Sequence, residues 1–179
     1  MLVIRNVPAP EAGLYRGLCD LLTDCVHGGA SVGFLAPVAS GTAERYWDQV
    51  FAALGPGLQL WVAQRSGRVA GAVQLAPCSK ENGRHRAEVQ KLLVLRTERR
   101  QGVASQLLAA VERQACSEGL RLLVLDTLRG SEAEALYLRQ GWQRAGEIPD
   151  YAAAPDGSLH PTVYYFKRLP AAMAPGQAP

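Results

Sequence analysis

The chain has 179 residues, 48% of them hydrophobic and 20% charged, with a formal net charge of +3. That length and balance fit one globular domain with its own core and exclude a disordered chain. The mild charge argues against nucleic acid, which calls for a dense basic patch, and leaves room for a polyanionic small ligand. The cysteines Cys19, Cys25, Cys78 and Cys116 form no C-x-x-C pair and have no histidine cluster beside them, so no metal is expected. Cys19 and Cys25 fall in an apolar helical pattern, where a thiol serves as a small hydrophobe. The first residues lack the apolar centre of a signal peptide, and no apolar run reaches bilayer-spanning length. The chain reads as a cytoplasmic protein with reduced thiols and no membrane contact.

In chain order, Leu2–Val7 predicts a strand ended by Pro8 and Pro10. A helix follows with Leu14, Leu18, Leu21, Leu22, Cys25 and Val26 on one face, stopping at Gly28-Gly29. A second helix covers Thr42 to Leu54, with Tyr46, Trp47, Val50, Phe51 and Leu54 at helical spacing. Two strands, Leu58–Arg65 and Arg68–Leu75, are joined by Ser66-Gly67, a hairpin signal. A polar loop from Ser79 leads to a third strand, Ala87–Leu95, whose apolar end reads as buried on both faces. A charged, glycine-containing turn then opens a helix striped by Val103, Leu107, Leu108, Val111 and Ala115 and closed by Gly119. Leu120–Thr127 predicts a strand, Glu132–Gln140 a short helix, and Gln143–Ile148 and Thr162–Leu169 two more strands. An antiparallel hairpin feeding a parallel strand–helix–strand unit defines an α/β class with a mixed sheet.

The segment Arg99-Arg100-Gln101-Gly102-Val103-Ala104 sits between a buried strand and a helix. The first turn of a helix has unpaired N–H groups and a partial positive charge, so a pyrophosphate gains charge-assisted hydrogen bonds there. Gly102 allows close backbone approach, Ala104 leaves the helix start uncrowded, and Arg99 and Arg100 add cations. The alternative is a charged turn before an amphipathic helix. Two carboxylates, Glu88 and Asp126, fall on central strands, where such groups are rarely buried without cause. The alternatives are a cross-strand pair of Glu88 with Lys91 or Arg86, and a cap by Asp126 on the loop to Ser131.

The Arg-x-x-Gly-x-Ala pattern after a strand, with Ser131-x-x-x-Ala135-Leu136-Tyr137-x-x-x-Gly141-Trp142 downstream, resembles the GNAT superfamily of acetyl-CoA-dependent N-acetyltransferases. Ala104 stands where glycine is commoner, and Trp142 where phenylalanine is. The stretches at residues 26–34, 86–92, 125–127 and 155–162 look like the tabtoxin-resistance branch, which acetylates the amino group of a β-lactam toxin.

The resemblance implies a central, mixed, mostly antiparallel sheet of about seven strands, splayed between strands 4 and 5 and flanked by about four helices. Residues 1–169 would form a single domain and 170–179, rich in Ala, Pro and Gly, a disordered tail. Acetyl-CoA would lie in the splay, beside a bulge in the fourth strand. Backbone groups of Leu93, Val94 and Leu95 would hold its pantetheine arm. Residues Arg99, Arg100, Gln101, Gly102, Val103, Ala104, Ser105 and Ser131 would complete the cofactor site. Tyr137 would be the general acid, since a phenol with a pKa near about 10 suits donation to a departing thiolate. Glu88 and Asp126 would be the candidate bases. The acceptor pocket would draw on His27, Gly28, Ser31 and Val32, with Asp156, His160 and Thr162 opposite. The expected activity is acetylation of a primary amine on a small molecule, by a monomer or homodimer, with direct transfer in a ternary complex. The alternatives are acetylation of a protein N-terminus or lysine, and an acetyl-CoA-binding sensor without catalysis.

Overall fold

Apolar stripes and alternating strands assemble into one seven-stranded sheet with helices on both faces. The computed structural model describes residues 1–170, so all of the expected disordered tail except Pro170 lies outside the described residues. The elements are β1 (Leu2–Val7), α1 (Ala12–His27), α2 (Thr42–Ala53), β2 (Gln59–Arg65), β3 (Arg68–Pro77), β4 (Arg86–Val94), α3 (Val103–Ser117), β5 (Leu122–Leu128), α4 (Glu132–Arg139), β6 (Gln143–Ala153) and β7 (Leu159–Arg168). The sheet order is β1-β2-β3-β4-β5-β7-β6. Every neighbouring pair is antiparallel except β4–β5. No helix among the described residues is long and apolar enough to cross a membrane.

The two faces of the sheet carry separate cores. On one, α1 and α2 bury Leu18, Leu21, Leu22, Cys25 and Trp47 against Leu60, Val62, Ala72 and Leu93. Trp47 is fully buried and its indole N–H donates to Leu18 O at 2.8 Å, so the stripe is pinned as well as packed. On the other, α3 buries Val103, Leu107, Leu108 and Val111 against Val73, Leu75, Ala87, Val89 and Leu123, with Tyr137, Trp142 and Tyr165 at the far end.

Two features of β4 set up the site. First, its pairing with β5 covers only Arg86↔Leu122, Ala87↔Leu123 and Glu88↔Val124, after which the strands part. Second, between Gln74↔Gln90 and Ala72↔Leu93, β4 carries one more residue than β3, a bulge at Lys91-Leu92. Lys91 takes φ +50, a left-handed conformation that L side chains rarely adopt. The extra residue reverses the alternation. Ala87 and Val89 face the α3 core before it, whereas Leu92 and Val94 pack against that core after it and Leu93 turns to the α1 side. Beside the bulge, Gly71 lets β3 approach closely: a Cβ there would stand 2.7 Å from Leu93 O.

The sequence underestimates β6 and β7. The strand expected to end at Ile148 runs on to Ala153, and the last strand starts at Leu159 instead of Thr162. Pro149, Asp150 and Pro161 read as loop, yet β6 is an edge strand whose register slips between Ile148 and Ala152, and that position tolerates proline and a left-handed Asp150 (φ +48). The strand expected from Leu120 begins at Leu122, because Leu120 N–H is taken by Ala115 O as α3 closes over Gly119.

Candidate active site

Where β4 and β5 part, a cleft of about 1120 Å³ opens through the sheet. A drug-sized ligand occupies about 300–1,000 Å³, so this cleft has room for a nucleotide-sized molecule. Because it passes between strands, residues from both faces reach it: Glu88, Asp126 and Thr162 from one, Tyr137 and the start of α3 from the other.

One mouth is built for an anion. Gly102 caps α3 with φ +78, and Arg100 before it has φ +60. Among the described residues, no backbone carbonyl accepts from the N–H groups of Arg100 through Ser105. Unpaired donors at a helix start carry its partial positive charge into the cleft. Arg99, Arg100 and Arg139 also line the cleft. Arg100 spans its mouth to Glu132 at 2.9 Å, an exposed pair that a stronger anion can replace. The donor set fits a pyrophosphate.

The strand edge narrows the backbone expectation. Leu95 N–H donates to Ala70 O at 3.0 Å, and Leu93 O faces β3 beside Gly71. Leu95 N–H is therefore spent on β3 and its carbonyl accepts from Glu98 N–H at 2.8 Å, whereas Leu93 lines the cleft with its carbonyl turned toward β3. Val94, which alternates with them, turns its backbone to the open side, where its carbonyl accepts from Cys25 Sγ at 3.4 Å. Leu95 and Gln101 do not line the cleft, and Gln101 Nε2 turns back to Thr97 O at 3.0 Å. Ser131 lines it, but its hydroxyl caps α4, accepting from Glu134 N–H at 3.2 Å.

At the inner end Tyr137 is only 6% exposed, packed on Trp142 and Tyr165 with ring centroids 5.8 and 6.4 Å away. Its hydroxyl makes no hydrogen bond among the described residues and is not one of the sealed, unpartnered polar atoms, so it opens on the cleft. Burial, and then the charge of Asp126, raise its pKa well above that of an ordinary phenol. Asp126 Oδ2 accepts from Thr162 Oγ1 at 2.9 Å, which orients the carboxylate. Asp126 does not cap the following loop, where Gly130 N–H goes to Glu134. Among the described residues, Glu88 forms no ion pair with Lys91 or Arg86.

The expected acceptor residues divide. Gly28, Ser31, Val32, His160 and Thr162 line the cleft, whereas His27 and Asp156 line a separate shallow recess. His27 Nε2 accepts from Val38 N–H at 3.2 Å, and Asp156 accepts from Ser158 N–H at 3.0 Å within its own turn. Both polar groups are spent on loop structure. Sequence reasoning also missed Lys91, Arg139 and Tyr151, which line the cleft. Tyr151 accepts a hydrogen bond from Tyr164, the cross-strand neighbour of Asp126. Tyr164 fell on the expected last strand, but Tyr151 lay beyond the strand expected to end at Ile148 and carried no signal.

An anion cradle at one mouth and ionisable groups inside suit an enzyme that moves a group from a phosphate-bearing donor. Residues 23–142 match the model of the acetyltransferase (GNAT) family, and the chain belongs to that family. It is an N-acetyltransferase by family. It is 32% identical over 127 residues, 70% of this chain and 74% of the relative, to an uncharacterized N-acetyltransferase encoded between hisH and hisA in Azospirillum brasilense. It is 34% identical over 94 residues, 51% of this chain and 61% of the relative, to an aminoalkylphosphonate N-acetyltransferase of Salmonella typhimurium. A solved Salmonella typhimurium structure holding its cofactor acetyl-CoA superposes with a TM-score of 0.75 at 15% identity, covering 99% of each chain.

Proposed function

We propose that residues 1–169 act as one catalytic unit that moves an acetyl group from acetyl-CoA to a primary amine of a small molecule, without a covalent enzyme intermediate. The carrying observation is the cleft between β4 and β5, with unpaired N–H groups of residues 100–105 at one mouth and Tyr137, Asp126 and Glu88 inside. Acetyl-CoA, when bound, supplies an acetyl group activated as a thioester. Arg99, Arg100 and the start of α3 would hold its phosphates, and the Val94 backbone its arm. Asp126 takes the proton from the incoming amine, Glu88 holds that amine as a cation beforehand, and Tyr137 Oη gives its proton to the leaving sulfur. The oxyanion would be stabilised by the cleft-facing N–H of Val94. A cytoplasmic setting suits the four free cysteines.

The small-molecule reading is supported by a similar relative that acts on aminoalkylphosphonates. The β-lactam-toxin reading is supported by the short matched stretches described above. Both are tested by following free thiol release from acetyl-CoA across amino-bearing β-lactams, amino acids, polyamines, aminoglycosides and peptides, with product masses. Turnover of small amines supports the reading, and turnover of β-lactam amines supports its finer form. Turnover confined to peptides refutes it.

Two variants probe the assigned roles. In Gly102→Asp the added side chain meets only Gln106 Nε2 at 3.8 Å, so there is space, and aspartate tolerates the left-handed φ better than most residues. The new charge faces the phosphates, and acetyl-CoA affinity should fall on the order of 10–100-fold by titration calorimetry. An unchanged affinity rejects the cradle. For the base, Asp126→Asn should lower kcat about 10²–10⁴-fold and leave the acceptor KM nearly unchanged. Glu88→Gln should raise the acceptor KM and leave kcat nearly unchanged. The reverse pattern exchanges the two roles.

A further inference from the structure

Lys91 is costly to place where it is. A bulge forces it to φ +50, and its side chain is half-buried in the cleft. A non-glycine residue in that region is strained, and such strain clusters at ligand sites. Burial lowers the ammonium's pKa, opposed by the charges of Asp126 and Glu88. Yet among the described residues no carboxylate lies within ion-pair distance of it. Its one hydrogen bond runs to Val32 O at 2.7 Å, and Nζ stands 5.9 Å from the centre of the Phe34 ring. An ammonium has three donors, so two are left over. The bond to Val32 O needs only a donor, and the Phe34 ring, the one loop group that uses the charge, stands at the outer limit of about 6 Å for a cation–π contact.

We propose that Lys91 selects the acceptor by binding an anionic oxo group, a carboxylate or a phosphonate, a few bonds from the amine that Glu88 and Asp126 receive. The inference rests on the assignment of this end of the cleft to the acceptor amine. Two carboxylates and one ammonium around a single recess complement a compact zwitterion. The amine of such a molecule is drawn to the acidic pair, and its anion completes the donors of Lys91. A polyamine or an aminoglycoside brings cations only and meets Lys91 as a like charge. Tyr151, which lines the cleft and accepts from Tyr164 Oη at 2.8 Å, offers an aromatic flank for a short organic chain between the two charged groups.

The test compares matched acceptors that share an amine and differ in charge: an amino acid with its amide, and an aminoalkylphosphonate with the corresponding aminoalkanol. The wild-type enzyme should favour the anionic member of each pair in kcat/KM. Lys91→Met and Lys91→Gln should each lower that preference on the order of 10–100-fold, mainly through KM. Lys91→Arg should restore part of it. Glutamine keeps a donor one bond shorter and arginine keeps both a donor and the charge, so a preference lost in both neutral variants and regained in Lys91→Arg reports the charge and not the loop. Acetyl-CoA affinity and thermal unfolding monitor the fold. Equal wild-type use of anionic and neutral partners overturns this inference alone, as does a Lys91→Gln enzyme with wild-type preference. Turnover of peptides only, or of no amine despite acetyl-CoA binding, overturns the acceptor-site assignment and the inference with it.

Discussion

Tyr137→Phe should turn over about 10²–10⁴-fold more slowly while binding acetyl-CoA as the wild type does. The substitution is unusually clean. The ring packs on Trp142 and Tyr165, and phenylalanine keeps those contacts. The hydroxyl has no hydrogen-bond partner among the described residues, so its loss orphans no buried group. What disappears is a proton donor. The proton is held firmly, since burial and then Asp126 disfavour the phenolate. In the wild type the phenol therefore stays protonated beyond pH values of about 10, where an exposed tyrosine ionises, and no loss of activity near there traces to Tyr137. Removing the Asp126 charge should let it ionise sooner. A rate loss of that size corresponds to about 2.7–5.4 kcal/mol of transition-state stabilisation. Steady-state kinetics with a titration of acetyl-CoA separate the outcomes. A Phe variant with wild-type kcat removes Tyr137 from the reaction, and a sensor without catalysis would show no change at all.

The largest effect on stability should come from Trp47→Ala. Trp47 is fully buried between α1 and the sheet, and its N–H satisfies Leu18 O. Truncation leaves a cavity and removes the indole bond to a carbonyl that the helix itself still satisfies, at a cost of about 3–5 kcal/mol. For a chain of this size that lowers Tm by roughly 6–20 °C. Trp47 does not line the cleft, so the folded fraction should retain wild-type KM for acetyl-CoA. A shift in Tm of a degree or less would mean that α2 is not anchored through this residue.

The helices, the hairpin at Ser66-Gly67 and the order of elements were legible because they rest on short-range periodicity and punctuation. The donor-rich mouth of the cleft, proposed to hold the cofactor, was legible for the same reason. Arg99 to Ser105 form a glycine-capped helix start, and its free N–H groups follow from local geometry wherever the helix begins. Tyr137 was found through its spacing to Gly141 and Trp142 and through family resemblance, since nothing in its neighbours' side chains marks a proton donor.

Pairing decided the rest. Whether Leu93, Val94 or Leu95 faces the cleft depends on which strand edge β3 occupies, and that follows from contacts made by residues about twenty positions away. The bulge that turns Lys91 inward has no signature in Gln90-Lys91-Leu92 and exists only because β3 supplies one residue fewer. His27 and Asp156 were drawn into the acceptor pocket by their polarity, but polarity does not reveal that local backbone groups already use it. The extension of β6 through Pro149 was hidden because proline is tolerated on an edge, and a strand's place at the edge is a property of the whole sheet. The sequence by itself determined the class of fold and the glycine-capped turn with free N–H groups, whose physics is local. Only the tertiary structure decided which groups share the cleft, because hydrogen-bond register between distant strands fixes the direction of each one.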